Sequence, residues 1–206
     1  MSARLESRGT PGRILDVSER LAQTRGFNGF SYADIAGELD VTKASLHYHF
    51  ATKAVLGRVL IARYHEVFAG LLGQIDASTT SAAEKLRRYV GLYRGVLVND
   101  RLCLCGMIAA EHATLPKPMQ GEIRRFFTAN EAWLAAVLEQ GERDGELHLR
   151  GTSLEVARLL LSALQGAMLV ARSYRSVARF DVSAKRLLAS LAAEPRTSRG
   201  IKPRAR

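Results

Sequence analysis

The stretch GFNGFSYADIAGELDVTKASLHYHFATKAVL, residues 26 to 56, decides how this chain folds. Ser31 is placed to cap a helix with Ile35, Ala36 and Leu39 as its buried stripe. Thr42 is placed to cap a second helix whose inward residues are Leu46 and Phe50. The connection Leu39-Asp40-Val41-Thr42 is short enough to hold the two at a steep angle, and Ala36 is small where they touch. These are the proportions of a helix-turn-helix, whose second helix enters the major groove of DNA. A helix pair serving only as core would carry mostly Glu and Lys on its outer face. Here Lys43, Ser45, His47, Tyr48 and His49 crowd hydrogen-bonding groups into two turns.

Residues 13 to 56 resemble the DNA-binding domain of the tetracycline-repressor (TetR) family of bacterial transcription regulators. The pattern runs from Ile14-Leu15 and Leu21 through Gly26-Phe27, Ile35-Ala36 and Leu46-His47-Tyr48-His49-Phe50 to Lys53 and Leu56. Asp40 stands where the family usually has Gly, a turn position calling for positive φ, which Asp tolerates better than most residues. His47 stands where Tyr is commonest, which changes the donor set facing DNA but not the fold. The resemblance implies an all-α protein of about nine helices, with a three-helix DNA-binding domain over 1–52 and a helical effector-binding and dimerisation domain over 53–193. It further implies a homodimeric repressor that a small-molecule effector releases from double-stranded operator DNA.

Composition agrees. At 206 residues the chain can bury a substantial core. Its net charge of +10 does not locate a DNA surface, because six basic and six acidic residues cancel over 1–52. The segment Glu194–Arg206 carries five basic residues and one acid, has no periodic apolar face, and reads as a disordered, solubilising tail. No signal peptide or apolar run of 18 residues is read, and two cysteines suit a reducing cytoplasm. No membrane partner is expected. No nucleophile–base pair, metal cluster or phosphate-binding Gly loop suggests an enzyme, a cofactor or a metal.

Helix punctuation continues along the chain. Thr10-Pro11 opens a first helix running to about Thr24. Thr52 caps a fourth from Lys53 that fades at Gly73 to Asp76, before a loop over Ala77 to Ser81. Ser81 and Glu84 form a capping box for a fifth helix to Val98. A sixth is expected from Arg101 to Thr114, a seventh from Met119 to Arg143, and an eighth from Thr152 or Ser153 to Tyr174. A ninth, capped by Asp181 or Ser183, is expected to reach Ala193.

The candidate DNA contacts divide by chemistry. Ser31 and Tyr32 lie at a helix N-terminus, where free N–H groups favour a phosphate; Tyr48 and Lys53 could serve phosphates as well. Thr42, Lys43, Ser45 and His47 are placed to read base edges, and His49 is either a structural residue at the helix end or a further contact. For the dimer seam the eighth helix offers Leu154, Ala157, Leu161, Leu164 and Met168, with small residues beside them, and the ninth offers Val182, Leu187, Leu188 and Leu191. An effector pocket is expected among Tyr64, Phe68, Tyr89, Tyr93, Cys103, Met107, Phe127, Asn130 and Trp133. Asn130 stands out as an amide on an apolar stripe. The alternative is a thiol-based redox or electrophile sensor acting through Cys103 and Cys105, with Arg101 and a helix N-terminus favouring the Cys103 thiolate.

Overall fold

A computed structural model describes residues 9–193; the basic tail lies outside the described residues. The architecture is all-α. Three short helices come first: α1 (Gly9–Arg25), α2 (Tyr32–Leu39) and α3 (Lys43–His49). Then come α4 (Lys53–Ser78), α5 (Ala82–Val98), α6 (Leu104–Ala109), a 3-10 turn (His112–Thr114), α7 (Lys117–Arg143), α8 (Ser153–Ser173) and α9 (Val177–Ala189). Among the described residues there is no strand, only one isolated bridge between Leu147 and Ala192.

The first three helices fold as their periodicity dictates. Ile14, Leu21, Ile35 and Leu46 are fully or almost fully buried, and Phe27, Phe30 and Phe50 close the small core between them. Asp40 ends α2 in the left-handed region at φ 53, the conformation its place in the turn calls for. Thr42 caps α3 by accepting from the Ser45 N–H at 3.2 Å, and Thr52 caps α4 by accepting from Val55 at 3.2 Å.

α4 is the long axis. Its 26 residues span about 39 Å at 1.5 Å each. It crosses α7 closely at Gly57, where an added Cβ would lie 2.6 Å from Met119 and 2.7 Å from Phe27. Beyond that crossing, α4, α5 and α7 enclose Tyr64, Phe68, Tyr89, Tyr93 and Phe126, while α7, α8 and α9 pack side by side.

Three boundaries and one cap differ from those read in the sequence. α4 continues through Ser78, because Leu72 and Ile75 keep its buried stripe going past Gly73. The expected capping box at Ser81 does not close. Glu146 reaches across from the α7–α8 connection to accept from the Ser81 hydroxyl at 2.7 Å and the Ala83 N–H at 3.0 Å, leaving Glu84 to pair with Arg87 and Arg88. α6 is only six residues long. Asp100 turns left-handed at φ 55 and the Leu102 N–H donates to the Gln23 carbonyl at 3.2 Å, which holds this segment out of a helix until Leu104. α9 begins at Val177, with Ser176 at the N-cap position but no side-chain capping bond, after a left-handed Arg175 at φ 48. The chain turns there because Phe180 and Ala184, four apart, must both be buried, and Asp181 becomes a mid-helix partner of Arg94 at 2.8 Å.

The left-handed Asp40 gives a direct test. Asp40→Gly is expected to hold or slightly raise stability, whereas Asp40→Val is expected to cost about 1–2 kcal/mol. Urea unfolding of the two variants checks the difference.

Candidate DNA interface and effector region

In α3 Leu46 alone is buried, and only Phe50 beyond its end adds a second anchor. The Tyr32 phenol donates to the Phe50 carbonyl at 2.7 Å, and the Tyr32 ring lies 4.8 Å from the His47 ring. Tyr32 therefore braces the recognition helix from behind as a buried residue. His47 Nδ1 lies 3.2 Å from the Ala51 carbonyl. In the neutral ring that bond puts the proton on Nδ1 and leaves Nε2 as an acceptor.

What remains outward is the face the sequence marked. Thr42, Lys43, His47 and Tyr48 are exposed and Ser45 is half-buried. Tyr48 is 86 % exposed, with only the edge of His49 beside it at 5.1 Å. A tyrosine so little used by its own fold presents a phenol and an aromatic face to a partner.

Ser31 caps α2 but offers no open anion seat. Its N–H and hydroxyl both donate to Asp34 Oδ2, at 2.8 and 2.6 Å, and these bonds hold the Asp34 carboxyl below its usual range. A carboxylate thus already occupies this positive helix end. Lys53 is also engaged within the fold. Its ammonium donates to the Phe27 carbonyl at 2.6 Å and to the Phe30 carbonyl, lying 4.7 and 4.4 Å from their ring centroids. Partial burial lowers its pKa, opposed by Glu111 and Asp34. Lys53 ties the α1–α2 turn to the start of α4, and these carbonyls account for a positive charge at a helix N-terminus within the fold itself.

That turn is held from three further directions, none of them evident in the sequence. The Glu111 carboxylate accepts from the Asn28 N–H at 2.9 Å, and the Asn28 amide donates to Thr114 at 2.8 Å. Arg172 of α8 donates to the carbonyls of Gln23 at 3.1 Å and Thr24 at 2.7 Å. Arg63 of α4 grips Asp16 and Glu19 of α1 at 2.7 and 2.9 Å. Asp16, Glu19 and Gln23 recur at helical spacing and so read as a solvated stripe, yet Gln23 is 2 % exposed. The same logic that singled out Asn130 applies to Gln23, but neighbouring charges masked it.

The expected effector residues come together. Ring centroids separate Phe68 from Phe126 by 5.3 Å, Tyr64 from Phe126 by 5.5 Å, Tyr89 from Tyr93 by 5.2 Å and Tyr89 from Trp133 by 5.4 Å. Phe126, prominent here, joins Phe127 at 5.5 Å, and Phe127 and Met107 are only half-buried against this core. Asn130 is satisfied internally. Its amide donates to the Phe126 carbonyl at 2.8 Å and its oxygen accepts from the Tyr89 hydroxyl at 3.2 Å. With that proton committed, the 3.0 Å contact between the two phenols requires Tyr93 to donate to Tyr89. Burial pushes the phenols of Tyr64, Tyr89 and Tyr93 above their usual range, so all three stay protonated. Trp133 donates to Asp76 at 2.8 Å.

Cys103 and Cys105 are buried, free thiols, and burial raises the pKa of both. Cys103 precedes α6 as its N-cap, and the Tyr64 hydroxyl lies 3.9 Å from its sulfur. The thiolate-favouring setting expected for Cys103 is thus replaced by a packed, protonated one. Among the described residues no group of three or more His, Cys, Asp or Glu side chains is placed to hold a metal ion.

The family model of bacterial regulatory proteins of the tetR family matches residues 14–58. The crystal structure of a TetR-family transcriptional regulator from Agrobacterium tumefaciens superposes with a TM-score of 0.87 at 31% identity, covering 92% of this chain and 100% of that one. A TetR transcriptional regulator from Legionella pneumophila gives 0.82 at 30% identity, covering 89% and 97%. The reduced form of E. coli NemR, at 22% identity and a TM-score of 0.77, covers 89% and 98% and shares the fold alone. No curated protein matches the chain at a significant level.

The assignment of Lys53 is testable by Lys53→Met, which leaves the Phe27 and Phe30 carbonyls without their charged donor. A loss of about 1.5–3 kcal/mol is expected in chemical denaturation. The salt dependence of DNA binding by the folded variant is expected to stay unchanged; a slope lowered by about one unit would return Lys53 to the phosphates.

Proposed function

We propose, for a chain that belongs to the TetR family of bacterial transcriptional regulators, a homodimeric repressor that leaves its operator when a small molecule binds its helical body. DNA-binding regulation through a helix-turn-helix follows from the family. Repression, dimerisation and release by an effector are the proposal, as is a division into a DNA-binding unit over 1–52 and an effector-binding and dimerisation unit over 53–193, acting in the cytoplasm.

The observation that carries the reading is the outward face of α3. Lys43 and Tyr48 are exposed at opposite ends of a helix whose inner side is anchored by Leu46. Lys43 at the first position suits guanine acceptors in the groove, His47 offers an acceptor to a base-edge donor, and the Tyr48 phenol suits a phosphate.

One such helix covers only a few base pairs, so specificity calls for two, about 34–36 Å apart. On α8 the exposed apolar residues are not the stripe read in the sequence, whereas Val182 of α9 keeps its expected place. Ala157, Leu161, Leu164 and Met168 face the protomer's own core and are buried. Unpartnered on α8 are Leu159, Leu169 and Val170, between 53% and 64% exposed, with Val182 of α9 65% exposed. With this second apolar face, an 18-residue stretch of α8 reaches a mean hydropathy of 1.5, enough by length and composition to cross a membrane. Its other side is committed to the core, and α8 carries Glu155, Arg158 and Arg172, so a second copy of the protein suits it better than lipid.

Effector release needs a molecule that binds two protomer orientations unequally; a hundredfold change in operator affinity requires about 2.7 kcal/mol of coupling. Tyr64 and Phe68 support this reading, since both belong to the aromatic core and also line a cleft open toward α1. Buried, protonated Cys103 and Cys105 do not favour the thiol-sensing alternative.

Fluorescence anisotropy on the promoter DNA beside the protein's own gene, against scrambled DNA across a salt series, tests the interface. Lys43→Ala is expected to cost about 1–3 kcal/mol on operator and to relax base preference. Tyr48→Phe is expected to weaken both DNAs alike. Full affinity and specificity in both variants would remove α3 from the DNA.

A further inference from the structure

Trp133 is the sole tryptophan of the chain, and it is held differently from the aromatic rings beneath it. Phe68, Tyr89, Tyr93 and Phe126 are buried, whereas Trp133 is half-buried. Its ring stacks on Tyr89, with centroids 5.4 Å apart and planes inclined by 22°. The Tyr89 hydroxyl is committed to Asn130 and Tyr93, so what the indole covers is the face of the Tyr89 ring. At its other end the indole N–H donates to Asp76 Oδ2 at 2.8 Å, a carboxylate on the exposed last turns of α4. Asp76 does not depend on the indole for its place. Its Oδ1 pairs with Lys85 at 3.0 Å, and Lys85 also donates to Gln140 at 3.3 Å.

We propose that Trp133 is a gate, and that the molecule it admits is a flat aromatic carrying an N–H donor, which stacks on Tyr89 and donates to Asp76 in place of the indole. Rotation of Trp133 about its own side-chain bonds opens the Tyr89 face and moves no helix. It leaves two features side by side, an aromatic face and a carboxylate held by Lys85. The first selects a planar ring by stacking, and the second selects an N–H through a charge-assisted hydrogen bond. The ligand thus supplies, group for group, what the indole withdraws. Closed and open forms exchange like contacts, the condition under which a ligand draws out a minor conformer. The occupant touches α4 at Asp76 and α5 at Tyr89, and displaces a side chain of α7, so three helices of the body meet at the gate. This inference rests on the effector-release reading and names the chemistry of the effector and the way it enters.

The test labels the full-length protein with 5-fluorotryptophan, which places a single fluorine resonance on Trp133. Indole is the probe, and benzofuran, of the same shape with an oxygen in place of the N–H, is its control. Indole is expected to move the resonance to a solvent-exposed position, read from its shift between light and heavy water, and to bind about tenfold tighter than benzofuran. Asp76→Ala is expected to abolish that preference and to expose the fluorine without any ligand. Trp133→Phe, which keeps a ring but removes the N–H that competes for Asp76, is expected to bind indole tighter than the parent in calorimetry, with the preference over benzofuran retained. A resonance unmoved up to the solubility limit of indole, an equal response to benzofuran, a preference that survives Asp76→Ala, or weaker indole binding by folded Trp133→Phe would each overturn the proposal. Operator affinity measured in parallel separates the two readings. Indole binding that exposes Trp133 and leaves operator affinity untouched upholds the gate and sinks its role in effector release.

Discussion

The end of α1 and the turn that follows it are held by four separate parts of the chain, and the position of the DNA-reading surface depends on that grip. Lys53 of α4 takes the carbonyls of Phe27 and Phe30, Glu111 and Thr114 take Asn28, Leu102 takes the carbonyl of Gln23, and Arg172 of α8 takes those of Gln23 and Thr24. The reason is local. A helix ends with carbonyls that have no partner within it, and a buried carbonyl without one is costly. Here the missing donors come from the helical body, so satisfying the end of α1 and orienting the first three helices are one event.

This economy shapes the recognition helix. α3 contributes a single buried side chain, so its placement is borrowed from Tyr32, Phe50 and the helices behind them. A short element with a sparse core of its own is free to carry a face designed for a partner, and it moves with whatever holds its support. Arg172 lies on the same helix as Leu169 and Val170, the apolar residues that suit a second protomer. The end of α1 and the proposed dimer face are therefore linked through one helix and a few hydrogen bonds.

Much of this was legible in the residues. Caps at Ser31, Thr42 and Thr52 and the stripe of α1 to α3 follow from local chemistry, and local chemistry decided them; the left-handed turn at Asp40 was implied by the family resemblance. Errors arose where a distant group overrode it: Glu146 displaced Glu84 at Ser81, Leu102 bonded Gln23 and shortened α6, and burial of Phe180 started α9 early. The same holds for function. The exposed side of α3 was readable because the fold makes little use of Lys43 and Tyr48. The bonds of Tyr32 and Lys53 to backbone carbonyls were not legible, because such partners carry no signature in sequence. On α8, apolar residues on both sides made it impossible to tell core from seam by periodicity alone.

The central claim is that Arg172 fixes the orientation of the DNA-reading unit against the helical body. Pulsed electron-spin spectroscopy on the dimer tests it, with a nitroxide on Gly37→Cys, an exposed position on α2 where an added Cβ meets nothing within 4 Å. Cys103 and Cys105 are buried and remain unlabelled in the folded protein. The account predicts one narrow label-to-label separation in the parent and a broadened or shifted one in Arg172→Ala, with helix content retained. An identical narrow distribution in both would contradict it.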